Sequence, residues 1–319
     1  MLRIRLVEER IAKLYPEQEM RCPVHLSIGQ EAVAAGVCAN LNRDDYVLSN
    51  HRSHAHYLAK GGDLKAMLAE LYGRVTGCSQ GKGGSMHLVD LSAGFLGAAP
   101  IVGSTIPIAV GVALGSVMRS SQRVTVVFFG DAAAETGTLH ESINFAALKR
   151  LPVLFVCENN LYSTQSPLSV RQPEGREIFW LAQGYGVPSY QGDGNDVLDV
   201  YALANEAIHR LRQGDGPHFL EFKTYRWLEH CGPYYDFSLG YRSESELKTW
   251  QRRCPIEGLK ERLLRDGLLC NQDIESMGRE IEREIGAAET FAKESPFPEG
   301  ELLGEDVYAP QSQSRESQE

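Results

Sequence analysis

The sequence predicts an α/β protein, a doubly wound and mostly parallel sheet flanked by helices, with a helical C-terminal part. Three observations carry that prediction. Strand-type and helix-type segments alternate between about residues 46 and 240. Two of the strand segments, "VVFF" (126–129) and "VLFVC" (153–157), are apolar without alternation, as strands covered on both faces are. A segment of helical length separates them, and the whole unit has the length of one βαβ crossover. With 319 residues, 43% of them apolar and 23% charged, the chain can bury a large core.

Taken in order, residues 1–20 read as one helix and "SIGQEAVAAGVCANL" (27–41) as a second, with Ser27 available near its N-terminus. "DDYVLSNHRSHAHYLAKG" pairs a short strand, Tyr46–Ser49, with a polar, His-rich turn. "DLKAMLAELYGR" (63–74) has helical spacing, and the glycine-rich "TGCSQGKGGSMH" after it reads as an ordered loop. From Ile106 to Val117 small residues dominate, which lets a helix approach a neighbour closely, either another subunit or the sheet. Strand 124–129, a helix over about 134–149 and strand 152–157 follow. "GVPSYQGDGNDVLDVYALANEAIHRLRQG" supplies a further strand and helix, and "PHFLEFKTYRW" (217–227) another strand. After Tyr241 the pattern is helical and charged up to about Phe291. The organisation expected is one domain over 1–308, with a sheet core at about 46–240 and a helical part at about 241–291. The tail 309–319 has the composition of a disordered end.

Composition excludes several classes of function. A net charge of −10 argues against a general nucleic-acid binder, although a local cationic pocket for a phosphorylated small molecule remains open. The seven cysteines (22, 38, 78, 157, 231, 254 and 270) are scattered and form no C-x-x-C pair, which fits reduced thiols better than a disulfide framework or a zinc ribbon. No apolar stretch is long enough to span a bilayer, and "MLRIRLVEERIAKLY" reads as an amphipathic helix rather than a secretory signal. The expectation is a soluble, cytoplasmic protein with no nucleic-acid and no membrane partner.

The chemistry concentrates where the apolar strands end. Asp131 follows the first and Asn160 the second. Consecutive parallel strands of a right-handed crossover bring their C-terminal ends to one edge of the sheet, where ligands of open α/β sheets bind. Asp131 and Asn160 would converge there with hard oxygen donors, which suits Mg²⁺ shared with a phosphate. Either residue alone reads as a helix cap or a turn; the pair at this spacing favours the metal.

These residues carry a resemblance. "GDAAAETGTLHESINFAALKRLPVLFVCENNLYS" resembles the thiamine-diphosphate motif, GDG followed by NN. It looks most like the α subunits of the heteromeric 2-oxoacid dehydrogenase E1 component, of pyruvate, branched-chain and acetoin types. The likeness runs from about residue 2 to about residue 265 and includes "HLSIGQEA", "GRVTGCSQGKGGSMH", "IVGSTIPIAVGVAL", "GPHFLEFKTYR" and "GYRSESEL". It implies thiamine diphosphate and Mg²⁺, the metal being held by the Asp131 carboxylate, the Asn160 side-chain oxygen and the Tyr162 carbonyl. Arg52 matches the arginine that grips the diphosphate, and Arg226 another phosphate contact. His230 matches the catalytic histidine near the reacting carbon. Val102 matches a backbone contact to the aminopyrimidine ring, and Gly130, Ala132 and Ala133 belong to the motif beside the cofactor. A diphosphate needs a metal and fixed cations, and guanidinium gives it forked hydrogen bonds.

The sequence departs from the family pattern at several places. Ala132 replaces the last glycine of GDG, which costs little if φ there is negative. The literal GDG at 192–194, within "QGDGND" (191–196), is a decoy: Asp193, Asn195 and Asp196 read as a turn and the cap of the next helix. Thr164 stands where related chains often carry an apolar side chain against the cofactor. His51 replaces an aromatic and, with His54 and His56, forms H-x-x-H-x-H, a weak zinc signal. His51 and His54 are assigned to diphosphate and active-site contacts, His56 to structure. Cys231 stands at the place of a regulatory serine in animal pyruvate-type relatives, which excludes phosphorylation of that residue. "HCGPYYDFSLGYR" resembles a mobile loop that orders over the cofactor, and it reads equally as a static surface segment. "GKGGSMH" lacks the order of a phosphate loop.

The resemblance further implies a separate β subunit, which supplies a glutamate to the cofactor in an α₂β₂ heterotetramer. The activity implied is decarboxylation of a 2-oxo acid such as pyruvate, with acyl transfer to the lipoyl domain of an E2 acyltransferase. "TYRWLEHCGPYYD" departs from the "HGHS" of pyruvate-type relatives, which also fits a paired-subunit transferase adding a two-carbon unit to a keto-sugar. A catalytically silent scaffold is the reading from a different class. Such proteins usually lose a metal ligand or the diphosphate arginine, and this chain keeps Asp131, Asn160, Arg52, Arg226 and His230.

Overall fold

The computed structural model describes residues 1–304. The N-terminal part contains α1 (Leu2–Leu14), α2 (Glu31–Cys38), β1 (Tyr46–Ser49), α3 (His54–Lys60) and α4 (Leu64–Leu71). Then follow β2 (Phe95–Ala98), α5 (Thr105–Met118), β3 (Thr125–Gly130), α6 (Gly137–Lys149) and β4 (Val153–Asn159). A small hairpin, β5 (Tyr162–Ser163) and β6 (Ser166–Pro167), leads to α7 (Phe179–Gln183), β7 (Ser189–Asp193), α8 (Val197–Arg212) and β8 (His218–Lys223). The chain ends in α9 (Glu244–Gln251), α10 (Pro255–Arg265) and α11 (Asn271–Glu294). The tail expected to be disordered lies outside the described residues.

Six strands form one parallel sheet in the order β2-β1-β3-β4-β8-β7. Side chains alternate along β3. Val126 and Phe128 enter a core shared with α1, α2, α4, α8 and α11, while Val127 and Phe129 enter a second core with α5 and α6. Both faces are apolar because both are covered, so the sequence of the strand shows no alternation. Phe128, Phe129, Phe155, Phe219 and Phe222 are fully buried, each contributing roughly 1.5–3 kcal/mol of transfer free energy.

Several elements differ from the sequence reading, each for a local reason. The first helix stops at Leu14, and a 3₁₀ turn at Tyr15–Glu17 ends with Gln18 in the left-handed region. Ser27 does not start α2. Its backbone N–H donates to both oxygens of the buried Glu8 carboxylate at 2.8 Å, and the helix begins at Glu31, itself paired with Arg5. The His-rich turn is the helix α3, with His54 and His56 buried. Strand β2 is an addition, its glycine-containing "FLGA" giving no strand pattern. Between β3 and α6 lies a 3₁₀ turn, Asp131–Glu135.

Other readings hold. The glycine-rich segment is ordered around one acceptor: the Glu70 carboxylate receives the N–H groups of Ser79, Gly81, Gly83 and Gly84 at 2.7–2.9 Å. In the decoy, Asp193 accepts the N–H of Asn195, and Asp196 caps α8 through Leu198 and Asp199.

Candidate functional site

The C-terminal ends of the strands meet at a cavity of about 290 Å³. Asn50, His51 and Arg52 follow β1, Ile101 and Val102 follow β2, Asp131 follows β3, Asn160 follows β4 and His230 lies beyond β8; all line the cavity. Register explains the convergence, because Gly130 pairs with Glu158 and so brings the residues after β3 and β4 side by side.

One end of the cavity is rich in oxygen. Asp131 is 2% exposed, and burial raises its pKa while Arg171 opposes that shift. The Arg171 guanidinium pairs with the Asp131 carboxylate and with Glu135. Asn160 Oδ1 accepts the Tyr162 N–H at 3.2 Å, and its Nδ2 donates to Gln30 Oε1 at 3.3 Å. Leu161 has φ 73°, which turns the chain into the β5–β6 hairpin, and the Tyr162 hydroxyl donates to Glu246 at 2.9 Å. Ala132 is not among the residues with positive φ, so its methyl replaces the motif's glycine without strain. Gly29 has a different role. Its φ is +98°, and a Cβ there would stand 2.4 Å from the Trp227 ring, so the segment that carries Gln30 needs a glycine to approach the cavity.

Arg52 spans the middle. It is 5% exposed and donates to the Leu26 carbonyl at 2.6 Å and the His230 carbonyl at 3.2 Å. Burial, then Arg226, lowers its pKa to about 10, so it stays charged at neutral pH.

The other end holds three imidazoles from three separate segments. His25, His51 and His230 have ring centroids 4.7, 5.0 and 5.3 Å apart, and their potential ligand atoms lie within 4.8 Å of one another. Burial, then Arg52, lowers their pKa values to about 2, 3 and 4 respectively. All three are neutral at pH 7 and present uncharged donors and acceptors. Neutral imidazoles also suit a transition metal, but Arg52, whose charge acts on all three, opposes a dication there.

The structure does not gather every residue singled out by sequence. Arg226 is 1% exposed and does not line the cavity. Its guanidinium donates to the carbonyls of Leu228 (2.6 Å) and Thr164 (2.7 Å) and to the Tyr241 hydroxyl (2.7 Å), while its Nε has no partner. Asp236 joins Arg226 to Arg242. The "HCGPYYDFSLGYR" segment is thereby pinned from its buried Asp236 onward, while Tyr234, Tyr235 and Leu239 are exposed. Thr164 lies on the wall in the left-handed region at φ 53°. His54 is a correction: it contacts Ser85 (2.7 Å) and Glu8 (3.3 Å) away from the cavity. His56 is structural as expected, bonded to Ser49 at 2.8 Å and stacked on Phe128. The H-x-x-H-x-H motif therefore splits, and only His51 faces the site. Gly130, Ala132, Ala133 and Val102 all line the wall.

His25, Gln30, Glu158 and Arg171 escaped the sequence reading. His25 and Gln30 lie in the "HLSIGQEA" block, and Glu158 immediately precedes the two asparagines. Arg171 carries no sequence signal.

Comparisons with known proteins place the chain in a family. A family model described as dehydrogenase E1 component matches residues 1–301. The α subunit of the acetoin:2,6-dichlorophenolindophenol oxidoreductase of Bacillus subtilis is 39% identical over 309 residues, covering 97% of this chain and 91% of the relative. The chloroplastic pyruvate dehydrogenase E1 component subunit alpha-3 of Arabidopsis thaliana is 37% identical, covering 96% and 72%. The pyruvate dehydrogenase E1 component subunit alpha of Rickettsia bellii is 34% identical, covering 97% and 93%. The chain belongs to the dehydrogenase E1 component family. It is an E1 α subunit, part of a thiamine diphosphate-dependent 2-oxo acid dehydrogenase, and that role implies a β subunit partner. No helix among the described residues of this E1 α chain is long and apolar enough to cross a membrane.

The donor set suits the cofactor that the family implies. Asp131, Asn160 and the Tyr162 backbone offer oxygen alone, which fits a hard dication. Arg52, charged and fixed on the same wall, fits a diphosphate.

Proposed function

We propose that this E1 α chain decarboxylates a 2-oxo acid such as pyruvate and passes the acyl unit to a lipoyl group, at a site shared with its β subunit in an α₂β₂ heterotetramer. The observation that carries the reading is the shared wall: buried oxygen donors at one end of the cavity, Arg52 in the middle, neutral His230 at the other end.

When bound, thiamine diphosphate supplies the electron sink for breaking the bond to the carboxyl group. The Asp131 carboxylate, Asn160 Oδ1 and the Tyr162 carbonyl would hold Mg²⁺, and Arg52 would pair with diphosphate oxygens. Gly130, Ala132, Ala133 and Val102 would line the cofactor, with His51 beside Arg52. Arg226 would act from behind the wall, holding the Thr164 carbonyl in place. His230, neutral at working pH, would donate a hydrogen bond to the substrate's oxygen or move a proton at one ring nitrogen. Phe129, Ile101 and Met86 add apolar surface to the same wall. The lipoyl domain of an E2 acyltransferase would be the acceptor, and the cytoplasm the compartment, in keeping with the bacterial relatives.

A second reading has an observation of its own. The polar His25 and His51 beside His230 suit a hydroxy-ketone, and the Bacillus subtilis relative is named for acetoin.

The test uses the chain co-purified with its β subunit and supplied with thiamine diphosphate and Mg²⁺. CO₂ release from pyruvate is followed with an artificial electron acceptor, which is then replaced by lipoylated domain or by a keto-sugar. Release that needs both subunits and continues with lipoyl supports the proposal. Release only with a sugar moves the chain to the transferases, and turnover of acetoin alone selects the second reading.

A further inference from the structure

Arg171 bears directly on the oxygen-rich end. It follows the hairpin that begins at Tyr162 and a 3₁₀ turn at Leu168–Val170, and its side chain is 11% exposed. Its Nε donates to the Ser166 carbonyl at 3.2 Å, and its two terminal nitrogens take Asp131 and Glu135, so the guanidinium fork is fixed from three sides. Gln172 steadies Glu135 from the neighbouring position at 3.1 Å. The pair uses Oδ2 of Asp131, and the carboxylate still lines the cavity.

The charges around Asp131 decide what this pair does. Glu158 faces the same cavity at 4% exposure, with His56 Nε2 3.2 Å from its carboxylate. Arg52 faces it too and forms no carboxylate ion pair among the described residues. A dication arriving by itself would be drawn by Glu158, but at Asp131 it would meet a carboxylate already shared with one guanidinium, with a second guanidinium on the same wall. A diphosphate arriving with the metal reverses that balance, since it brings several negative charges to Arg52 and shares its own oxygens with the metal.

Resting on the reading of Asp131 as a metal ligand, we infer that Arg171 makes metal binding at Asp131 conditional on the diphosphate, so that the dication is taken up with the anion rather than before it. Arg171 is a positioning residue in this scheme and touches no reacting atom. Its effect is a coupling between two ligands, which by linkage is equal in both directions.

The experiment measures Mn²⁺ binding to the chain assembled with its β subunit, by the electron paramagnetic resonance signal of free Mn²⁺, with and without thiamine diphosphate. Wild type should bind Mn²⁺ weakly by itself and at least about a hundredfold more tightly with the cofactor. R171Q should bind Mn²⁺ alone at least about tenfold more tightly than wild type, with the coupling reduced by the same factor. R171K, which keeps the charge, should stay close to wild type. E135Q alters a partly exposed side chain and leaves Arg171 with one carboxylate; it should weaken Mn²⁺ binding alone, and it provides the test should R171Q not assemble. Unchanged or weaker metal-alone binding in R171Q overturns the inference. R171K as permissive as R171Q overturns it as well, as does E135Q binding Mn²⁺ at least as tightly as wild type. D131N separates the two levels of the argument: if it binds Mn²⁺ with cofactor as wild type does, the ligand assignment fails and this inference falls with it. If D131N loses the metal while R171Q changes nothing, only the role of Arg171 fails.

Discussion

At one end of the cavity Asp131 is taken out of water against the Arg171 guanidinium, which opposes the rise in pKa that burial causes, and in the middle Arg52 keeps its charge, while at the other end His25, His51 and His230 are kept neutral. Desolvation acts on both ends in the same direction, against charge. What differs is the partners. Arg52 gives its hydrogen bonds to two backbone carbonyls, and Asp131 has the Arg171 fork. The imidazoles have mainly each other, the Nδ1 of His25 has no hydrogen-bond partner, and Arg52 stands beside all three. The push of burial against charge is therefore opposed where the backbone or a counter-ion is fixed for the group, and goes unopposed where they are not. The division suits a bipartite ligand, with an anionic, metal-bearing half held by charge and a reacting half served by groups that can give or take a proton.

The strongest way to break this comparison is at the charged end. Replacing Asp131 by Ala removes the carboxylate that stands between the cavity and Arg171, while Glu135 still pairs with the guanidinium and should preserve the fold. The expected result is a loss of Mg²⁺–thiamine diphosphate affinity of more than about a hundredfold, seen by calorimetric titration, with turnover falling below detection. Binding that stays within a few-fold of wild type would mean that the oxygen-rich end holds no metal.

Substitution at the neutral end should have the opposite signature. H230Q keeps a hydrogen-bonding side chain but removes the imidazole, and kcat should fall by about 10²–10⁴ while cofactor affinity changes by less than about threefold. A loss of affinity as large as that of D131A would collapse the distinction between the two ends.

The two ends also differed in how far the sequence revealed them. Asp131 and Asn160 were legible because each terminates an apolar strand, and the length of one crossover fixes where two such ends meet. The same logic made β3 and β4 readable, since a strand buried on both faces writes itself as an uninterrupted apolar run. Strand β2 writes no such run, being four residues with a glycine among them. The histidine cluster was half legible. His51 stands next to Arg52, but His25 reaches the site from a loop before α2, and no local pattern connects it to residue 230. His54 misled for the same reason: adjacency in sequence suggested one site, whereas α3 turns its side chain toward Glu8 and Ser85. Arg226 shows a further limit. The family resemblance pointed it to the cofactor, and only the packing of Asp236 and Tyr241 reveals that its guanidinium is engaged behind the wall.

The smallest effect expected, and the one that tests neutrality itself, is on stability against pH. His51 and its two neighbours have folded-state pKa values of about 3, 2 and 4, below the value of about 6.5 for an unperturbed histidine in an unfolded chain. Between pH 6.5 and about 4 the unfolded chain therefore holds protons on these side chains that the folded chain does not. The state with more protons gains as pH falls, so folding stability declines on acidification through this window and rises again as pH returns to 6.5. In H51Q one of those protons is missing from the unfolded chain, and the slope should flatten by at most about 1.4 kcal/mol per pH unit. Equilibrium urea unfolding at pH 6.5, 5.5 and 5.0 reads the difference directly, and the carboxylates that titrate in the same range cancel between wild type and variant. If the two chains lose stability in parallel, His51 takes up its proton in the folded state as easily as in the unfolded one. The two ends of the cavity would then be alike in tolerating charge, and burial would not explain why one of them is neutral.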